Sequence, residues 1–272
     1  MNKNLSNLFN LKNKTIILTG SAGLLGREYA HILSAAGANL ILVDVKENEN
    51  VKLYKELIKK YNTKPMISTI DITNKKQIIQ LKQEILKKYG TIYGLINNAF
   101  FNHAKSQSKK GSLTFEEFPL ENWEASMKLN LTGVFLCCQE FGKVMVKQKN
   151  GCIVNVSSIY GMVGADQRIY GQSNLNSPVS YAASKGGILN LTRYLAAYWH
   201  EKNIRVNSLT LGGVEDKSYQ SKQFIKNYSS KTILGRMAKK SDYRGSMLFL
   251  MSDASSYMTG SNLIIDGGWT AW

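Results

Sequence analysis

The sequence predicts a doubly wound α/β fold: a seven-stranded parallel sheet with helices on both faces, formed as one domain over residues 1–272. Three observations carry that expectation. Short apolar runs bounded by turn residues alternate with longer amphipathic segments, the pattern of doubly buried strands and the helices that cover them. A glycine-spaced turn, Gly20-Ser21-Ala22-Gly23-Leu24-Leu25-Gly26, follows the first run and opens the first helix. No internal repeat, low-complexity tract or linker divides the chain.

The strands are expected at 14–19, 39–43, 66–70, 92–96, 152–157, 205–209 and 262–265, and the helices at 24–36, 49–61, 75–89, 121–149, 179–200 and 241–252. Each strand ends on residues that suit a turn. The first runs into the glycine turn and the second into Asp44. The third meets Asp71-Ile72-Thr73 and the fourth Asn97-Asn98-Ala99. The fifth closes on the serine pair Ser157-Ser158, the sixth on Gly212-Gly213, and the seventh on Asp266-Gly267-Gly268.

Lysine and arginine outnumber aspartate and glutamate 35 to 19, for a net charge of +16. The lysines are spread through helical segments and are not massed with aromatic residues, so no nucleic-acid partner is expected. An anionic small substrate suits the charge. No apolar run reaches the roughly 18 to 20 residues that cross a bilayer, and 1–13 lacks a signal-peptide core, so no membrane partner is expected. Cys137, Cys138 and Cys152 have neither metal spacing nor a disulfide framework. The expectation is a reduced, cytoplasmic protein without a metal.

In the glycine turn, Gly20, Gly23 and Gly26 let the backbone approach a pyrophosphate resting on the helix N-terminus, with Ser21, Leu24 and Leu25 lining it. Asp44 lies 18 residues past Gly26, at the end of the second strand. A carboxylate there accepts both ribose hydroxyls of NAD and repels a 2′-phosphate. NAD(H) is therefore the expected cofactor over NADP(H), with Arg27 and Lys46 close enough in sequence to soften the preference. Tyr181 and Lys185 stand one helical turn apart on one face. A nearby ammonium favours the phenolate, so the pair reads as a proton-transfer group.

On these residues the chain resembles the short-chain dehydrogenase/reductase family from end to end, with its Rossmann fold. The carrying segments, besides Tyr181-Ala182-Ala183-Ser184-Lys185, are Asp71-Ile72-Thr73, Asn97-Asn98-Ala99, Gly151 to Ser158, Ile204-Arg205-Val206-Asn207 and Ile264 to Gly268. The resemblance implies that Tyr181 is the general acid/base, that Lys185 binds the nicotinamide ribose and lowers the tyrosine pKa, and that Ser158, the second serine of its pair, holds the substrate oxygen. Asn130 would bend its helix and join a water relay. Asp71 and Ile72 would border the adenine, Asn98 and Ala99 would wall the cofactor, and Gly212 and Val214 would border the nicotinamide. The family also implies a homotetramer or homodimer, with 121–149 and 179–200 between subunits and Trp269 and Trp272 extending the contact.

Three features depart from the family's common pattern. The glycine spacing is similar to that of the extended branch, which includes epimerases and dehydratases, but the length and the Tyr181-Ala182-Ala183-Ser184-Lys185 segment keep the resemblance with the shorter branch. Ser158 and Tyr181 are 23 residues apart, a longer gap than usual, and the loop from Phe100 to Pro119 also looks long, with Phe100 where a glycine is usual. Long loops at strand ends serve binding. This suggests a deep pocket for a bulky polar substrate, with His103, Tyr160, Arg168 and Tyr170 as candidate contacts. Finally, Leu211 stands where proline is common, which would loosen the loop that follows.

The long gap, Ser158-Ile159-Tyr160-Gly161 and the ending Asp266 to Trp272 resemble a narrower group, the flagellin modification protein A-like reductases of bacterial surface-sugar pathways, including nonulosonic acids such as legionaminic acid. The resemblance implies an NAD(H)-dependent oxidoreductase interconverting a secondary alcohol and a ketone on a sugar or nucleotide-activated sugar. The rival readings are an epimerase or dehydratase that retains its NAD, and a cofactor-sensing binding protein without catalysis.

Overall fold

Along β1 (Thr15–Thr19) every side chain is buried, because helices cover both faces of the sheet to which it is central. The computed structural model describes residues 3–101, 114–173 and 175–272. With β2 (Asn39–Val43), β3 (Met66–Ser68), β4 (Gly94–Asn97), β5 (Gly151–Ser158), β6 (Ile204–Leu211) and β7 (Asn262–Ile265), β1 forms one parallel sheet in the order β3-β2-β1-β4-β5-β6-β7. The order reverses between β1 and β4. There the loops leaving the two strands diverge and open a crevice at the strands' C-terminal ends.

Side chains alternate between two apolar layers. Ile16, Leu18, Leu40 and Leu42 join Tyr29 and Leu33 of α2 (Leu24–Ala35) and Met247 and Leu250 of α9 (Arg244–Met251). Ile17, Ile41 and Ile153 face the other way. They meet Leu81 and Ile85 of α4 (Lys75–Tyr89), Phe141 of α6 (Val134–Gln148) and Leu195 of α7 (Val179–Tyr198). The helix ends follow local chemistry. Asn74 caps α4 by accepting from the amides of Lys76 (3.1 Å) and Gln77 (3.3 Å), and Gly90 closes it in the left-handed conformation at φ +71°.

The elements correct several sequence expectations. β3 stops at Ser68, short of 70, and the Asp71 carboxylate folds onto Thr73 beyond it. The expected helix 121–149 is broken into α5 (Leu120–Met127), a π-helical turn at Lys128–Gly133, and α6. The expected 241–252 is a 3₁₀ turn, Lys240–Tyr243, followed by α9. β6 runs on to Leu211, whose backbone pairs with Ile265. Three further helices join these. α3 (Glu47–Tyr61) begins two residues earlier than expected, while α1 (Lys3–Leu8) and α8 (Lys222–Ser229) were not expected. The signal for α8 is Ser221, whose hydroxyl accepts from the Phe224 amide at 3.1 Å, ahead of apolar residues at helical spacing. No helix among the described residues is long and apolar enough to cross a membrane.

One buried carboxylate ties the helices together on each face of the sheet. Glu28 of α2 takes the Arg244 guanidinium of α9. Glu140 of α6 is 1% exposed and accepts from Lys82 of α4 at 2.6 Å and from Lys143 at 2.8 Å, with Lys75 at 3.6 Å. Burial alone would raise the Glu140 carboxyl, but the lysine hydrogen bonds outweigh it and hold the pKa at about 2. A depressed carboxyl stabilises the fold fully above its unfolded value, and the contribution is lost as pH falls toward 2. Glu140→Gln is expected to cost about 2 kcal/mol near neutral pH, discounted for the partly exposed lysines. Urea denaturation should also show a shallower acid limb than the parent protein between about pH 5 and pH 2.

Candidate active site

The turn after β1 is drawn tight by its glycines. Gly20 sits at φ +65°, and a Cβ on it would lie 2.8 Å from Ala99 Cα. A Cβ on Gly26 would lie 2.1 Å from the Gly20 carbonyl oxygen. The turn is stitched to the end of β4. Asn98 Nδ2 donates to the carbonyls of Thr19 (3.1 Å) and Gly20 (3.0 Å), while Thr19 Oγ1 accepts from the amides of Asn98 (3.0 Å) and Ala99 (3.2 Å). Gly23 occupies the N-cap of α2 with no side-chain cap, so the first-turn amides at Leu24, Leu25 and Gly26 face an approaching anion with no side chain between. This cradle, whose tight turn leaves no room for a Cβ at Gly20 or Gly26, fits a dinucleotide pyrophosphate. Ser21 takes a different part from the one expected of it. Its hydroxyl donates to Asn50 Oδ1 (2.8 Å) and its amide to the Val43 carbonyl (3.2 Å), so it anchors the turn from inside.

Asp44 is fixed at the end of β2. One carboxylate oxygen accepts from the Ala22 amide and the other from the Lys46 amide, each at 2.9 Å. Arg27 is held by Glu56 at 2.6 Å. Asp71 caps its own turn through Thr73, and Ile72 is buried against Gly133 of the π turn.

Ser158, Tyr181, Lys185 and Asn130 converge at the C-terminal ends of β4 and β5. Lys185 is 4% exposed, and its ammonium donates to the Val156 carbonyl at 2.7 Å. Burial lowers its pKa to about 8. Ser157 donates to the Lys185 carbonyl at 3.0 Å and is thereby committed to holding α7. Ser158 remains for the cleft, accepting from the Tyr160 amide (3.3 Å) and hydrogen-bonded to Tyr181. The expected lowering of the Tyr181 pKa is not found. Burial raises it, the Ser158 hydrogen bond opposes the rise, and the Lys185 ammonium lies 5.8 Å from the ring centre, turned to Val156. Asn130 sits in the π turn. Its Oδ1 accepts from the Phe101 amide at 2.7 Å and its Nδ2 reaches Ser184 Oγ at 3.5 Å. The π turn supplies the expected helix distortion.

The candidate substrate contacts divide. Tyr160 packs with Ile159, Ile169 and Tyr228, its buried hydroxyl finds no hydrogen-bond partner among the described residues, and burial raises its pKa. Tyr170 lies 5.3 Å from the Phe224 ring, and burial pushes its phenol up to about 12. Arg168 does not face the cleft as expected. Its side chain is 82% exposed, and its guanidinium is taken by Asp166 at 2.8 and 2.9 Å. His103 lies outside the described residues. The segment between Ser158 and Tyr181 is closed by Gln167, which accepts from the Ser177 amide (2.9 Å) and donates to the Ser177 carbonyl (3.3 Å). Phe100 is a cleft residue whose part the sequence did not give: its ring lies 5.6 Å from the Lys185 ammonium and 6.2 Å from the Tyr181 ring.

The loop after β6 is not loosened by Leu211. Gly212 donates to the Ile265 carbonyl at 2.9 Å, and Gly213 accepts from the Ala238 amide at 3.0 Å. Val214 pairs with Ala238 in a parallel bridge. Trp269 is buried against Tyr228 of its own chain, not offered to a neighbour, whereas Trp272 is exposed. The described residues contain no group of three or more His, Cys, Asp or Glu side chains able to hold a metal ion.

A parallel sheet whose switch-point crevice carries this glycine cradle beside a serine, tyrosine and lysine is the architecture of a nucleotide-dependent oxidoreductase. A family model described as enoyl-(acyl carrier protein) reductase matches residues 20–270, and the chain belongs to the short-chain dehydrogenase/reductase family. It is 31% identical over 259 residues to the post-translational flagellin modification protein A of Campylobacter coli, covering 95% of this chain and 99% of that one. It is 33% identical over 267 residues to an NAD-dependent glycerol dehydrogenase of Listeria innocua, covering 96% of each. Among solved structures, a gluconate 5-dehydrogenase from Burkholderia cenocepacia in complex with NADP and tartrate superposes with a TM-score of 0.86 at 25% identity, covering 98% of this chain and 99% of that one.

Gly26→Ala is expected to abolish dinucleotide binding, because the added methyl cannot coexist with the Gly20 carbonyl. Titration of NADH fluorescence should show no saturable binding even where circular dichroism shows a folded chain.

Proposed function

We propose that the chain, acting as one unit over residues 1–272, interconverts a secondary alcohol and a ketone with NAD(H). The observation that carries the reading is Tyr181 hydrogen-bonded to Ser158 one turn before a buried Lys185. In reduction, Ser158 and Tyr181 both hydrogen-bond the substrate carbonyl oxygen, and Tyr181 delivers its proton to that oxygen. Burial raises its pKa, so the phenol holds its proton at neutral pH and starts as the acid. In oxidation the phenol takes the proton back. Lys185 would hold the ribose hydroxyls of the nicotinamide half, and its charge would favour a phenolate at Tyr181. Asn130 holds the Phe101 backbone and joins the proton relay behind the lysine. When bound, the nicotinamide supplies or accepts the hydride.

NAD(H) is preferred because the Asp44 carboxylate stands where a 2′-phosphate would add a like charge, and Arg27 is committed to Glu56. Gly20, Gly23 and the amides of Leu24 to Gly26 hold the pyrophosphate. Asn98, Ala99, Gly212 and Val214 frame the nicotinamide half, and Asp71 and Ile72 the adenine.

The substrate is a sugar derivative, anionic or nucleotide-activated, used in surface glycan synthesis. Support comes from the flagellin modification relative and from the polyol and sugar-acid dehydrogenases named above. The protein works in the cytoplasm as a homotetramer or homodimer through the outer faces of α6 and α7. Phe135 there is exposed, and Tyr194 and Tyr198 stack at 5.7 Å in solvent.

The test is NADH absorbance with sugars, keto-sugars and nucleotide-activated sugars. Tyr181→Phe is expected to lower turnover by about 10²- to 10⁴-fold, and undiminished turnover in that variant would refute the mechanism. Asp44→Ser is expected to raise NADPH use relative to NADH. An unchanged ratio of kcat/KM values would remove Asp44 from cofactor selection.

A further inference from the structure

The peptide group between Gly212 and Gly213 is gripped at both ends by phenols from outside its own loop. Tyr243 of the Lys240–Tyr243 turn donates its hydroxyl hydrogen to the Gly212 carbonyl at 3.0 Å. The Gly213 amide donates in turn to the hydroxyl oxygen of Tyr228, on α8. A peptide plane held at its oxygen and at its hydrogen can neither tilt nor flip, so the direction in which the chain leaves β6 is set by two side chains distant in sequence. A Cβ on Gly213 would lie 2.5 Å from Tyr228 Cζ, so the glycine and the tyrosine require each other.

Tyr228 is 3% exposed and is itself held on both sides. Its ring stacks on Trp269 of the C-terminal tail with centroids 4.3 Å apart. On the other side Phe224 lies at 6.1 Å and carries the contact on to Tyr170 at 5.3 Å. Asn227, the neighbour of Tyr228, donates to the Ile169 carbonyl at 3.1 Å. The tail is stiffened by Asp266, which accepts from the amides of Gly268 and Thr270, each at 2.9 Å, and from the Thr270 hydroxyl at 2.7 Å. One tyrosine thus joins three parts of the rim of the cleft: the segment between Ser158 and Tyr181, the C-terminal tail, and the loop after β6.

We propose that Tyr228 is a positioning residue: its hydroxyl, locked in place by the Trp269 stack, fixes the Gly212–Gly213 peptide and thereby the loop that frames the nicotinamide half of the cofactor. This rests on the dinucleotide reading above. Tyr228 touches neither the hydride nor the proton path; it acts through the backbone of Gly213.

Tyr228→Phe keeps the ring and its stack and removes only the hydroxyl. Amide exchange over 212–214, measured without cofactor, is expected to quicken about tenfold or more, as for a lost hydrogen bond of ordinary strength. The NADH dissociation constant, read by fluorescence, is expected to rise by about the same factor, while melting shifts by only a few degrees. Tyr243→Phe, which frees the other end of the same peptide, is expected to give the same pattern and serves if the first variant does not fold. A lowered melting temperature with unchanged exchange at 212–214 and unchanged NADH affinity would overturn the proposal and leave Tyr228 a packing residue. Failure of the unaltered protein to bind either dinucleotide would sink the underlying reading and this one with it.

Discussion

A buried ammonium fixes the geometry on which the rest of the site depends. Lys185 donates to the carbonyl of Val156, and Ser157 returns a hydrogen bond to the carbonyl of Lys185. This two-way clasp presses α7 against the end of β5 across 28 residues of chain. The fit is close: a Cβ on Gly161 would lie 2.6 Å from the Lys185 carbonyl. The clasp is not free. Lowering the lysine from 10.5 to about 8 means that folding disfavours its charged form by roughly 3 kcal/mol. The sign is the reverse of that for Glu140. The Lys185 penalty is present in full below about pH 8 and is relieved as pH rises toward the unfolded value. The apolar layers on either side of the sheet offset it, and the site gains a cation already in place before any ligand arrives.

Around that cation the remaining phenols are kept neutral. Burial raises Tyr160, Tyr170, Tyr228 and Tyr243 alike. They keep their protons at ordinary pH: Tyr228 and Tyr243 grip the Gly212–Gly213 peptide, while Tyr160 and Tyr170 pack in the cluster around Tyr228. Tyr181 is raised as well, so its neighbourhood differs less in electrostatics than in access. It combines a hydrogen-bonded serine, an ammonium on the adjoining turn and an aromatic wall at Phe100. In the proposed reaction the phenol starts as an acid and becomes a base as the Lys185 charge favours its phenolate, which suits a reaction that runs both ways.

The alternation of apolar runs was enough to place all seven strands, because the central ones are buried on both faces and the edge strands β3 and β7 are still bounded by turn residues. The site motifs were equally legible, since glycines at 20, 23 and 26 and the pair at 181 and 185 answer to short-range geometry. What the sequence hid depends on partners far along the chain. The π turn at Lys128–Gly133 is invisible in a continuous amphipathic pattern. Arg168 is the exception: the residue that takes its guanidinium, Asp166, is only two positions away. Leu211 suggested a loose loop, and only the fold brings Ile265, Ala238, Tyr228 and Tyr243 to take up the backbone that follows it. The Tyr181 phenol was expected to be lowered by its lysine, but burial of both groups together decides the outcome the other way.

The clasp between Gln167 and Ser177 has a consequence for how such a protein diversifies. Both ends of the intervening stretch are pinned by one amide side chain on the N–H and C=O of Ser177, while Lys185 is pinned separately through Val156 and Ser157. The residues between therefore form a loop closed at its own base, with Ile169 and Tyr170 resting on α8. Its length can change at a closure cost that grows only slowly. A change at Ile169 or Tyr170 instead reaches the loop after β6 through Tyr228.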